Sequence, residues 1–164
     1  MRDPLSIYMN DHLAGATAGV ELARRLRSRN AGDPRFGPPT AELCAEIETD
    51  RELLETAMER LGISRNRLKP VSAWLGEKLG RFKLNGQLTG YAPLSRMVEL
   101  ELLYIGLTGQ IRMWRALESS LGEGPDEIDF TQLAERAGGQ RARVEELHLS
   151  AANLALPEQK SSTG

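Results

Sequence analysis

Between Leu94 and Leu121 the sequence LSRMVELELLYIGLTGQIRMWRALESSL contains no proline and carries apolar residues on more than one side of a helix. Leu100, Leu103, Leu107, Ile111 and Trp114 recur at three- and four-residue steps. Leu94, Val98 and Ile105 make a second stripe, which also holds Glu101 and Arg112. A helix that is apolar on two sides has to be covered on two sides, so this stretch predicts a central helix packed by the remaining amphipathic segments.

Residues 5–29 predict a first long helix, opened by Pro4 and ending in a basic turn. Leu5, Met9, His12, Ala16, Val20 and Ala23 share one face, while Glu21 and Arg25 fall on the far side. Gly15 and Gly19 lie beside the apolar face, where a neighbouring helix could approach closely. Asn30 to Pro39 predicts a loop, with Thr40 capping a second helix over 41–61. Its stripe is Leu43, Ile47, Leu54, Ala57 and Leu61, interrupted by Asp50, and Gly62 supplies the stop. Glu42, Glu46, Glu48, Glu52, Glu55 and Glu59 fall mostly on its outer face.

The stretch from Ile63 to Pro93 is the most basic part of the chain and predicts a shorter helix near 70–83, with Leu68, Val71, Leu75, Leu79 and Phe82 in helical spacing. The last long helix is expected over 129–155, capped by Asp126 or Asp129. Phe130, Leu133, Ala137, Val144, Leu147, Ala151 and Ala155 form its stripe, Gln140 and His148 share it, and Gly138-Gly139 is a candidate kink. The polar tail 157–164 is expected to be disordered. The pattern as a whole predicts an all-α fold: one domain over 1–156, built from four long helices with a shorter fifth in the middle connection.

Composition agrees with a helical core. Only 5% of the 164 residues are aromatic against 40% hydrophobic and 27% charged, so the core must come mainly from aliphatic side chains. A net charge of −2 argues against binding nucleic acid by bulk phosphate neutralisation. The single cysteine, Cys44, and an N-terminus without a secretory pattern lead to the expectation of a cytoplasmic protein. No run reaches the roughly 20 apolar residues of a transmembrane helix.

The candidate chemistry lies in polar residues on apolar faces. His12, Asp50, Glu101, Arg112 and His148 must each find a partner, because an unpaired buried charge costs several kcal/mol. His148 is expected to bond Glu101. Counting helix rise from the two hairpins puts Glu101 and His148 level with each other. They fall in the same half as Glu46 and Asp50 if residues 63–93 cross the length of the bundle, and beside His12 if that segment caps one end.

Two long hairpins joined by a long middle connection resemble the ferritin-like bundle, and Glu145-Glu146-Leu147-His148 resembles the Glu-x-x-His motif of its fourth helix. The resemblance implies crossover topology and a carboxylate–histidine site for iron or manganese, with Glu46, Asp50, Glu101, Glu145 and His148 as candidate ligands. The matching stretch of the second helix reads Glu46-Ile47-Glu48-Thr49, without the histidine. The wording IYMNDHLAGATAGVELARR, EIETDRELLE and FKLNGQLTGYAPLSRMVELE is also similar to a family of small bacterial proteins, over most of residues 5–121. That second likeness implies no catalytic residues.

Three functions follow as expectations. The first is a structural or protein-interaction bundle, a homodimer through the second stripe of the central helix or the Trp74 face. The second is a metal-binding protein or oxidoreductase using the five candidate ligands. The third is a module that binds an anionic partner or membrane surface through the basic segment 65–83.

Overall fold

The structure is a computed structural model, and it describes residues 3–66, 91–125 and 128–156. Four helices stand among them: α1 (Pro4–Asn30), α2 (Gly37–Arg60), α3 (Pro93–Leu121) and α4 (Phe130–Ala155). No strand occurs among the described residues. The shorter helix expected near 70–83 and the tail 157–164 lie outside them.

The ends of these helices follow from local chemistry. The Asp3 carboxylate caps α1 by accepting from the backbone N–H groups of Leu5 and Ser6, with Pro4 in the first turn. Asp129 caps α4 through the N–H of Gln132. α2 starts at Gly37, three residues before the expected cap at Thr40. Pro38 and Pro39 sit in its first turn, where the missing N–H groups leave nothing unsatisfied. Thr40 is therefore inside the helix, and its buried hydroxyl donates back to the carbonyls of Phe36 and Gly37. The tight loop before it is held by Asp33, whose Oδ1 accepts from the N–H groups of Arg35 and Phe36. Gly62 ends α2 with φ of 68°, a conformation that glycine takes without strain. α4 stays helical through Gly138-Gly139.

Two buried clusters give the direction of each helix. One joins Val20–Leu26 of α1 and Leu43–Ile47 of α2 to Leu100–Leu107 of α3 and Val144–Ala151 of α4. The other joins Met9 and Leu13, Leu54–Met58, Met113–Leu117 and Phe130–Ala134. The end of α1, the start of α2, the start of α3 and the end of α4 thus meet at one end of the bundle. α2 and α3 therefore run parallel. Asn66 marks the exit, its N–H donating to Oδ1 of Asn10 near the start of α1. Tyr91 marks the return, beside Glu99.

The central-helix stripe is buried as expected at Leu100, Leu103, Leu107, Ile111 and Trp114. Trp114 stacks on Phe130 with ring centroids 5.8 Å apart. The second stripe is largely open among the described residues: Ile105 is 59% exposed, Leu94, Glu101 and Arg112 also face outward, and Val98 is half-buried.

Candidate functional site

Three polar or open features interrupt the packing. The first is the seam between α2 and α4, where Asp50 is only 3% exposed. Burying that carboxylate requires donors, and α4 supplies them at three- and four-residue steps. Arg136 donates from Nε to Oδ1 at 2.6 Å, and Gln140 from Nε2 to Oδ2 at 2.5 Å. One turn away along α2, Glu46 accepts from Arg143. That hydrogen bond to Arg143 holds the Glu46 carboxyl below its ordinary range and raises Arg143.

The five residues expected to share a metal are distributed as follows. Glu46 and Asp50 lie along this seam, each occupied by arginine. Glu101 on α3 and Glu145 on α4 are exposed. His148 is half-buried, and its Nε2 is enclosed without a hydrogen-bond partner. The expected Glu101–His148 bond does not form, because Glu101 belongs to the outward face of α3 while His148 turns inward. Among the described residues no three His, Cys, Asp or Glu side chains are grouped to hold one ion.

The second feature was not anticipated from sequence. Glu99 is 0% exposed, and its carboxylate accepts from the Tyr91 hydroxyl at 2.5 Å and from Nε of Arg25 at 2.6 Å. Burial first, and the Glu99 carboxylate second, push the Tyr91 phenol far above its ordinary value, so it stays a donor. Arg96 lies 4.0 Å above the Phe36 ring and 5.5 Å from that of Tyr91, with Nη2 on Asp33 at 3.0 Å. These groups pin the returning chain to the α1–α2 loop. The signal was present: Glu99 stands four residues before Leu103, on the core stripe itself.

The third feature is a cleft of about 430 Å³ between α1 and α3, with α2 as its floor. Its sides are residues 11–22 of α1 and 102–113 of α3, and Ile47, Arg51 and Leu54 close the bottom. Gly15 and Gly19 on one wall and Gly106 and Gly109 on the other belong to its lining. A Cβ built at any of these four glycines meets nothing within 4 Å. The close helix approach expected at Gly15 and Gly19 is therefore not made: open space lies beside these glycines.

Polar groups in the cleft are few. His12 packs its ring edge-on to Tyr8 with centroids 4.6 Å apart, and burial lowers its pKa against the opposing pull of Asp11. Arg51 donates from Nη2 to Glu55 at 2.5 Å, but its enclosed Nε has no partner. Arg51 was missed in the sequence, although its place four after Ile47 and three before Leu54 puts it on the α2 stripe. The only cysteine, Cys44, is buried on α2 within the core cluster, and burial raises its thiol.

No helix among the described residues is long and apolar enough to cross a membrane. Comparison with family models, with curated proteins and with solved structures finds no match to this chain, so its function has to be read from the geometry.

Proposed function

We propose that this protein is a binding bundle that takes a small, largely apolar molecule into the cleft between α1 and α3. The supporting observation is the cleft itself. Its volume of about 430 Å³ falls in the range of ligand sites, roughly 300–1,000 Å³, and its apolar walls with few polar groups have the usual make-up of such sites. Four glycines on facing helices leave its walls without side-chain volume, although each costs about 0.5–1 kcal/mol of helix stability relative to alanine. Titration with the neutral fluorescent probe N-phenyl-1-naphthylamine tests the reading. Saturable one-to-one enhancement is expected for the wild-type chain and should be lost in the double variant Gly19→Leu/Gly106→Leu at unchanged helicity. Enhancement that survives filling of the cleft contradicts it.

The interaction reading uses the same surface. Exposed Leu94 and Ile105 on the second stripe of α3 suit a second copy of the chain, and a dimer by light scattering that persists with ligand bound would favour it.

The ferritin-like metal reading draws support from the parallel run of α2 and α3 and from the free Nε2 of His148. It requires Glu46 and Asp50 to leave their arginines and Glu101 and Glu145 to turn inward. Elemental analysis of protein purified without chelator or metal-binding tag tests it, with stoichiometric iron or manganese lost in His148→Ala as the supporting result. The basic-segment reading rests on residues outside the described ones, apart from Arg65, which pairs with Glu55 at 3.2 Å.

A further inference from the structure

We infer that the ligand of this cleft is a neutral single-chain amphiphile, lying with its polar head between His12 and Gln110 and its alkyl tail toward Leu22 and Leu102. This rests on the reading of the cleft as a ligand site and adds the class and the orientation of the ligand.

The two ends of the cleft are unlike. α1 and α3 run antiparallel, so the Leu22 end of one wall faces the Leu102 end of the other, and Asp11 belongs with Met113. At the rise of an α-helix, walls over 11–22 and 102–113 make a trough about 16 Å long. Asp11, His12 and Gln110 stand at the end that holds Met113, and Arg51 comes from the middle of the floor. Toward the other end the lining is Ala18, Leu22, Ile47, Leu102 and Leu103, with no polar side chain. An alkyl chain buries methylenes along that half, each contributing about 0.8 kcal/mol, whereas a polar group placed there loses its water and finds no partner. One orientation follows, with the head at His12 and Gln110.

The head has to be uncharged. Asp11 and Arg51 are of opposite sign, and Arg51 already pairs with Glu55, so the lining presents no net charge to draw in an ion. A charged head of either sign gives up hydration and meets one like charge. His12 and Gln110 are half-buried, and neither side chain hydrogen-bonds a described residue. A neutral imidazole and a carboxamide each offer both a donor and an acceptor, which suits a hydroxyl that gives one hydrogen bond and takes another. Burial lowers the His12 pKa against the opposing pull of Asp11, which keeps the ring uncharged at neutral pH.

Calorimetric titration of the full wild-type chain with 1-decanol, decanoate and decyltrimethylammonium, all below their aggregation limits, tests the head without any variant. Decanol should bind about tenfold or more tightly than either ion. Isotope-filtered Overhauser spectra of the decanol complex test the orientation: the terminal methyl should contact Leu22 and Leu102, and the carbinol methylene His12 and Met113. The double variant His12→Phe/Gln110→Met should weaken decanol about tenfold while leaving N-phenyl-1-naphthylamine affinity within about twofold. A reversed or mixed orientation, an ion that binds as tightly as decanol, or naphthylamine binding without decanol binding overturns this inference and leaves the apolar ligand site standing. Binding of neither naphthylamine nor any decyl chain overturns both.

Discussion

The hydroxyl of Tyr91 and the carboxylate of Glu99 meet at 2.5 Å at the point where the chain re-enters the bundle, and Arg25 holds the other oxygen of the same carboxylate from α1. A carboxylate with no solvent contact depends on these donors. Removing one with Tyr91→Phe should cost about 1–3 kcal/mol in urea unfolding. The pH dependence has a definite sign. The folded phenol is raised above the unfolded value of about 10, so the unfolded chain releases its proton first and stability falls as pH rises past about 10. Tyr91→Phe should remove that part of the alkaline decline. A variant as stable as wild type, with an unchanged alkaline slope, would show that the bond is idle.

Asp50 should be the most sensitive carboxylate on α2. Asp50→Ala removes the acceptor that Gln140 reaches at 2.5 Å and frees Arg136, and about 1–3 kcal/mol of stability should be lost. Arg136 is 40% exposed and can turn to water, so most of the loss should be traceable to buried Gln140. A double-mutant cycle of Asp50→Ala with Gln140→Leu measures this: strong coupling is expected, and additivity would contradict it.

How far these sites could be foreseen differs along the chain. The four long helices are legible because each keeps apolar residues at three- and four-residue steps, and their ends are marked by Asp3, Gly62, Gly122 and Asp129. The start of α2 is less legible, since a Pro-Pro pair marks a loop and a first helical turn equally well. Asp50 was visible as a break in a clean stripe. His148 was visible too, but its partner was misassigned: helix levels give height along the bundle and not the rotation of α3, which turns Glu101 outward. The glycines misled for a related reason. Small residues permit a close approach and a gap equally, and only the placement of the facing helix decides between them.

The glycine-lined walls carry a stability prediction of their own. Gly19→Ala adds a Cβ into open space at helical φ, so it should raise stability by about 0.5–1 kcal/mol in thermal unfolding. A loss of stability would mean that α1 and α3 close on each other in solution.

His148 should contribute nothing to stability through its enclosed Nε2. His148→Leu should leave stability unchanged or raise it by up to about 1 kcal/mol, because a buried polar atom without a partner is replaced by an apolar one. A marked loss in chemical denaturation would reveal a partner for the imidazole.

The most direct test of the account is methyl nuclear magnetic resonance of the full chain titrated with the neutral probe N-phenyl-1-naphthylamine. The methyl groups of Leu22, Leu54, Leu102, Ile105 and Met113 line the cleft, while exposed Leu149, Leu154 and Leu156 lie elsewhere. The account predicts saturable shifts confined to the first set. Shifts confined to the second set, or none at saturating ligand, would contradict it.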